Sequence, residues 1–269
     1  MLSNFRSAPS YQHNAIILDS AKFLVAVGLL TFLIVKASGN LSYNWQWYRV
    51  PGYLFTFIDG KFIAGPLLAG LKVTLQIATI SLLLSSLFGL ATALFRLSDS
   101  FIARILARIY LETIRNTPLL VQLFFIYFVL SPVLEISRFA CAVLALSLFE
   151  GAYASEIFRA GIVSIHRGQW EAAHSLGLNN FHTYRQVILP QAIRRMLPPL
   201  ASQAISLVKD SALVSTIAIY DLTMKGQEII AVTYLVFEIW FTIAAIYLII
   251  TAILSVGVHM LEKHFPIEI

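Results

Sequence analysis

Charge is scarce in this chain. Of 269 residues, 19 are Lys or Arg and 14 are Asp or Glu, 12% in all. An average soluble domain carries about 25%. A soluble protein of this length could not cover its surface with so few charges. Cysteine is scarcer still: the single Cys141 excludes an internal disulfide, and so a secreted disulfide scaffold. There is no basic run with interleaved aromatics, so the net charge of +5 does not point to nucleic acid. Internal repeats, low-complexity tracts and a second soluble domain are also lacking. What is abundant is apolar: 58% of the residues are hydrophobic and the mean hydropathy is +0.79. A lipid solvent removes the problem of surface coverage, so the composition implies a polytopic, all-α membrane protein and excludes a soluble enzyme or a disordered chain.

A spanning helix needs about 20 mostly apolar residues. The first run, Phe23 to Val35, is short, but a helix from about Ser20 to Ser38 would span with Lys22 and Lys36 snorkelling. A cleaved signal peptide ending near Ala37-Ser38-Gly39 is the rival. The long stretch before the apolar run favours a retained helix. Asn40 to Gly65 holds Trp45, Trp47, Tyr48, Tyr53 and Phe55 and reads as an interfacial loop. Further spans are expected at Pro66–Phe95, at Asn116–Leu134 (or from nearer Ile105), at Phe139–Phe158, at Met196–Tyr220 and at Ile239–Leu261.

With the N-terminus in the cytoplasm, the inner segments hold Arg6, Lys22, Arg96, Arg104, Arg108, Arg115, Arg159, Arg167, Arg185, Arg194, Arg195 and Lys263. The outer segments hold only Arg49, Lys61, Arg138 and Lys225. The positive-inside rule therefore places both termini and the polar interval Arg159–Arg195 in the cytoplasm.

No Gly-x-Ser-x-Gly or His-Glu-x-x-His motif occurs, so no enzyme site is expected. His166, His174 and His182 recur without cysteine and without a zinc spacing, and read as surface residues. A P-loop is missing too. The only Gly-Lys, Gly60-Lys61, is followed by Phe62, and Phe55 stands where the first glycine would be. The chain cannot hold ATP by that device.

The Arg159–Arg195 interval is the most informative. Gln169–Leu176 forms a short helix, Gly177 falls at its C′ position, and Asn179 or Asn180 caps a second short helix near Phe181, which Pro190 limits. A helix–turn–helix hairpin results. Its apolar side chains, among them Trp170, Leu176 and Phe181, would either pack on the protein's own helices or dock a partner.

Glu171-Ala172-Ala173, then Gly177, then Leu189-Pro190, at this spacing, resembles the signature of permease subunits of binding-protein-dependent ABC importers. Val187 replaces the isoleucine of that pattern. Arg115-Asn116-Thr117-Pro118-Leu119-Leu120, Gly151–Arg159 and Lys209-Asp210-Ser211-Ala212-Leu213 are similar to segments of the polar amino-acid branch, with Ser211-Ala212 departing from its Thr-Ser. The resemblance covers about Pro66 to His264. It implies a five-helix type I importer core at 66–264, with 1–65 contributing a tail, an extra transmembrane helix and an interfacial loop. In that family the hairpin carries a coupling helix that docks on an ATPase. Glu171, Ala172, Ala173, Gly177, Leu189 and Pro190 are then the expected coupling residues. The implied partners are an ATP-binding cassette ATPase dimer, a second membrane subunit (itself or a sister chain) and an extracytoplasmic amino-acid-binding protein, in lipid of a bacterial inner membrane. ATP and Mg would sit on the ATPase, with no cofactor on this chain. The rivals are an ion-gradient-driven carrier or channel, and a scaffold docking a signalling partner.

Polar residues inside spans are functional candidates by default. Lys72, Gln76, Thr79 and Ser86 share one helix face at about 100° per residue, and Gln203, Ser206 and Asp210 share another. Each stripe would line a substrate path or make helix–helix hydrogen bonds. Glu150 and Glu156 do not share a face, and Glu156 is expected to pair locally with Arg159. Thr117-Pro118 would either start a helix or kink one.

Overall fold

The computed structural model describes residues 19–29, 31–33, 36 and 43–264. Two units make up the chain, Met1–Trp45 and Gln46–Ile269. In the first, residues 19–29 and 31–33 are helical. Phe23, Leu24 and Val25 are exposed, and Lys22 pairs with Asp19 at 3.1 Å. The expected first span falls partly outside the described residues.

The second unit opens with a short helix, α1 (Val50–Leu54), and a β-hairpin of β1 (Phe55–Ile58) and β2 (Lys61–Ala64). The register pairs Phe55 with Ala64 and Phe57 with Phe62. Asp59 and Gly60 both have positive φ, 51° and 73°, as the tight turn of a twisted hairpin requires. The expected interfacial loop is thus partly sheet. Asp59-Gly60 between alternating phenylalanines was the available signal.

Helix α2 (Pro66–Leu97) follows, with Pro66 in its first turn. Then come α3 (Phe101–Arg115) and α4 (Leu119–Phe124), which runs on through π-helical Phe125–Leu130 into Ser131–Leu134. Helix α5 (Arg138–Val163) is the most buried of the long helices. A polar hairpin led by α6 (Arg167–Ser175) connects it to α7 (Leu189–Asp210), and α8 (Leu222–Thr233) and α9 (Val236–His264) complete the chain. Among the described residues, three helices are long and apolar enough to cross a membrane: α2, α5 and α9. The pair α3 and α4, bent by 105°, makes a fourth if counted as one span. Helix α7 carries Arg194, Arg195, Lys209 and Asp210, so composition alone does not mark it as a span.

Helices α2 and α5 form the centre. Ser81 Oγ donates to Val143 O and Ser147 Oγ to Ser81 O, both at 3.4 Å, while a Cβ on Gly89 would meet Ala154 Cβ at 2.8 Å and Gly151 O at 3.0 Å. Contacts advance along both helices together, so the two run in the same direction. Small residues let the backbones approach this closely, as is usual between membrane helices. Around them Ile77, Leu123, Cys141, Leu146, Val214 and Ile217 form the main core. A second core joins Leu67 to Leu222, Leu235, Ile239 and Ile243. It is tied off by the buried Glu238, whose Oε1 accepts the Gln46 N–H at 2.7 Å. The unit therefore has an arginine-rich end, with Arg96, Arg104, Arg115 and Arg159, and an opposite end where Trp47, Tyr48, Tyr234 and Trp240 are exposed. Such aromatics suit a membrane–water boundary.

Thr117-Pro118 does more than start or kink a helix. Helix α3 ends at Arg115 and a new axis begins at Leu119, 105° away. Gln122 stabilises the corner: its Nε2 donates to Ile114 O at 2.8 Å and to Thr117 O at 3.0 Å, satisfying carbonyls that the end of α3 leaves open.

Candidate functional site

The polar hairpin is built almost wholly from local signals. His166 caps α6 through Nδ1, which accepts the Gly168 N–H at 3.0 Å. At the other end the Leu178 N–H reaches Ala173 O at 3.1 Å and the Gly177 N–H reaches His174 O at 2.9 Å, with Gly177 at φ 79°. These two bonds and the left-handed glycine are a Schellman motif. Asn179 Oδ1 then accepts the His182 N–H at 3.0 Å and starts the second helix, as its position anticipated. Proline 190 behaves differently from expectation. It does not limit that helix. Asn180–His182, the π-helical Thr183–Ile188 and α7 form one continuous helical run. The wider π-turn leaves room before the proline ring, and Gln191 Nε2 donates to Val187 O at 2.8 Å.

Inside the hairpin, Ile162, Ile165, Ile188, Ala192 and Met196 form a small core. Trp170 meets Tyr184 edge to face with centroids 4.9 Å apart. Ala173 is buried there, whereas Ala172 is exposed and Glu171 points outward, paired with Arg167 at 3.1 Å. Leu176 (81% exposed) and Phe181 (65%) project from the turn with no core to enter.

A second polar site lies between α5 and α7. Glu150 is buried, and its Oε2 accepts a hydrogen bond from Gln203 Nε2. Asp210 is close enough for the two acid groups to interact electrostatically. Glu150 Oε1 is buried without a hydrogen-bond partner. Ser206 is half-buried on the same helix as Gln203. The structure therefore brings Gln203 and Asp210 together, but around a residue that sequence reasoning set aside. Helical periodicity compares Glu150 only with Glu156 on its own helix, whereas its partners come from α7. The available signal was an acid in the middle of an apolar run.

Lys72, Gln76 and Thr79 line an open groove of about 530 Å³ whose described lining is α2 alone: Leu68, Leu71, Leu75 and Ile80 complete it. This stripe and the Glu150 cluster are separate features. Glu156 does pair with Arg159, at 3.2 Å, and also with Arg96 at 2.5 Å and Arg115 at 3.3 Å. One carboxylate thus ties the ends of α2, α3 and α5 together. Among the described residues no group of three or more His, Cys, Asp or Glu is arranged to hold a metal ion.

Apolar helices long enough to cross a membrane, a buried polar cluster between α5 and α7 and a polar hairpin at one end define a helical membrane protein. The sequence matches the family of binding-protein-dependent transport system inner membrane components over residues 85–265. It is 43% identical over 204 residues to the glutamine transport system permease protein GlnP of Escherichia coli K12, covering 75% of this chain and 93% of that one. It is 42% identical over 202 residues to the L-cystine transport system permease protein TcyB of Bacillus subtilis, covering 74% and 86%. The fold is similar to a solved amino acid ABC transporter crystallised with histidines, with a TM-score of 0.70 and 39% identity over 74% of this chain and 94% of that one. The chain belongs to this permease family, in its amino-acid ABC transporter branch.

Proposed function

We propose that this chain is the transmembrane subunit of an ATP-driven importer of a polar amino acid, coupled to a separate ATPase through the 171–190 hairpin. The observation that carries the coupling is the pair Leu176 and Phe181, large apolar side chains held out in the open by a rigid turn. Two such residues held together on one polar hairpin are suited to a partner's surface. Glu171, Ala172, Ala173 and Gly177 shape that surface, and Leu189 and Pro190 carry the chain from it into α7. ATP and Mg belong to the partner ATPase pair. A second membrane subunit and an extracytoplasmic amino-acid-binding protein complete the assembly in the bacterial inner membrane, with both termini of this chain cytoplasmic. Residues 66–264 form the importer core, and 1–65 is an addition to it.

The substrate path runs past Glu150, Gln203 and Asp210. A zwitterionic amino acid offers an ammonium group, and two acids beside an amide are suited to receive it. The relatives' names, glutamine and cystine permeases, favour a polar amino acid. Ser206 is a secondary candidate beside that cluster, and Lys72, Gln76 and Thr79 are secondary candidates in the separate groove on α2.

The test begins with gentle solubilisation of the tagged chain and mass spectrometry of what co-purifies. A stoichiometric P-loop ATPase, lost in Gly177→Asp, is the expected result. Nothing lies within 4 Å of a Cβ at Gly177, so the new carboxylate faces the docked partner, but its φ of 79° strains any side chain, so hydrogen exchange at 173–178 must show that the turn is kept. Normal substrate-stimulated ATPase activity in that variant would overturn the assignment.

A further inference from the structure

Helix α3 has three faces, although a helix on a protein surface ordinarily needs two. Ala107 and Leu111 are buried against the bundle, and Tyr110 Oη donates to Leu148 O at 2.6 Å. At about 100° per residue, Arg104 and Arg108 lie together on the flank of that face. Ile102, Ile105, Leu106 and Ile109 occupy the far side, with Ile102 70% and Ile109 59% exposed. Ser100 caps the helix through Oγ, which accepts the Ala103 N–H at 3.3 Å, and Arg104 Nη1 donates to Ser98 O at 3.2 Å, fixing its start.

The surroundings say what covers the isoleucine face. The helix follows the last turn of α2, where Leu94 and Phe95 are also exposed, so the apolar strip continues the surface that α2 turns to lipid. The 105° corner at Asn116–Pro118 sets α3 across the direction of the span that follows. Neither Arg104 nor Arg108 forms an ion pair among the described residues, so Arg108 and the guanidinium nitrogens of Arg104 not held by Ser98 O can meet anions at the level where the apolar strip begins. An apolar face bordered by two arginines without ion pairs, with Glu112 on the same border accepting from Asn116 Nδ2 at 2.9 Å, on a helix running across the span that follows, fits the boundary between acyl chains and headgroups.

We propose that α3 lies in the plane of the membrane surface, with Ile102, Ile105, Leu106 and Ile109 in the acyl region and Arg104 and Arg108 on anionic phospholipid headgroups. This rests on the membrane character of the chain and on neither the coupling hairpin nor the substrate path. Each arginine near an anionic surface contributes about a fivefold preference for anionic lipid. The corner at Pro118 then joins a lipid-held helix to a membrane span, and the Glu156–Arg115 pair joins the same helix to α5.

The purified complex in nanodiscs tests this without any transport assay. Spin labels at Ile105→Cys and Ile109→Cys, in a Cys141→Ala background, are expected to be accessible to oxygen and protected from a water-soluble nickel chelate. Labels open to nickel, or shielded from both reagents by another protein surface, would overturn the in-plane placement. In mixed phosphatidylcholine and phosphatidylglycerol, the preference for phosphatidylglycerol over phosphatidylcholine in the lipid beside α3, read by quenching of a fluorophore at Ile105→Cys with spin-labelled lipids, is expected to fall about twenty-fivefold in Arg104→Gln/Arg108→Gln and to be kept in the double lysine variant. An unchanged preference in the glutamine variant would overturn the headgroup contact. Both readouts are independent of uptake and ATP hydrolysis, so failure of the importer proposal would leave them standing, and the reverse.

Discussion

The hairpin at 167–190 and the cluster at Glu150 are both polar regions of a mostly apolar protein, yet they are assembled in opposite ways. The hairpin draws its hydrogen bonds from neighbours in sequence: His166 with Gly168, Leu178 with Ala173, Asn179 with His182. Its charged side chains and the apolar pair Leu176 and Phe181 face outward, where Glu171 and Leu176 are open. The Glu150 cluster joins residues that are 53 positions apart and hides them between two helices. Water can support the first arrangement if a partner is missing. The second has only the protein to satisfy its polar atoms, so each member depends on the others. The two glycine-dependent features differ in the same sense. Gly177 is there for a backbone angle in open space, whereas Gly89 is there because α2 and α5 leave no space at all.

That contrast can be broken or sharpened by substitution. The largest effect is expected at Gly89→Leu, which drives a side chain into Ala154 and Gly151. Overpacking of this kind costs about 3 kcal/mol, read as loss of the monodisperse detergent-purified protein or a large drop in its melting temperature. A stable variant would mean that α2 and α5 are not held at this distance. Next is Glu150→Gln, which keeps shape but removes the acid. Amino-acid uptake in proteoliposomes should fall about thirtyfold, corresponding to about 2 kcal/mol for a hydrogen bond to a charged group, with little change in melting temperature. Uptake at the original rate would reduce the cluster to a structural contact. Asn179→Ala removes the cap of the second hairpin helix and should lower stability by about 1 kcal/mol. Hydrogen exchange should rise at 180–183 and stay unchanged at 150. The smallest effect belongs to Glu171→Gln. Its pair with Arg167 is solvent-exposed, so stability should move by no more than about 0.5 kcal/mol. A loss of ATPase binding in that variant would then report on docking and not on folding.

The same division explains what could be read in advance. Gly177 and Asn179 act through bonds to residues within five positions, so their roles were legible from spacing. Glu156 with Arg159 was legible for the same reason, whereas Arg96 and Arg115 reach that carboxylate from other helices and were not. Thr117-Pro118 announced a boundary but not its angle, because the corner is held by Gln122 from the next helix. The hairpin at 55–64 had a local signal in Asp59-Gly60 that the density of aromatic residues overshadowed. Glu150 had none that named its partners, since helical periodicity compares positions only along one axis.

Composition determined that this chain needs lipid, because 12% charged residues cannot cover a surface in water. Local spacing determined the caps and turns of its polar hairpin, because such bonds close within a few residues. Tertiary structure alone decided that α2 and α5 run together, that α3 turns across the span that follows it, and that Glu150 meets Gln203 and Asp210. Those outcomes depend on which helix packs beside which, and no single helix carries that information.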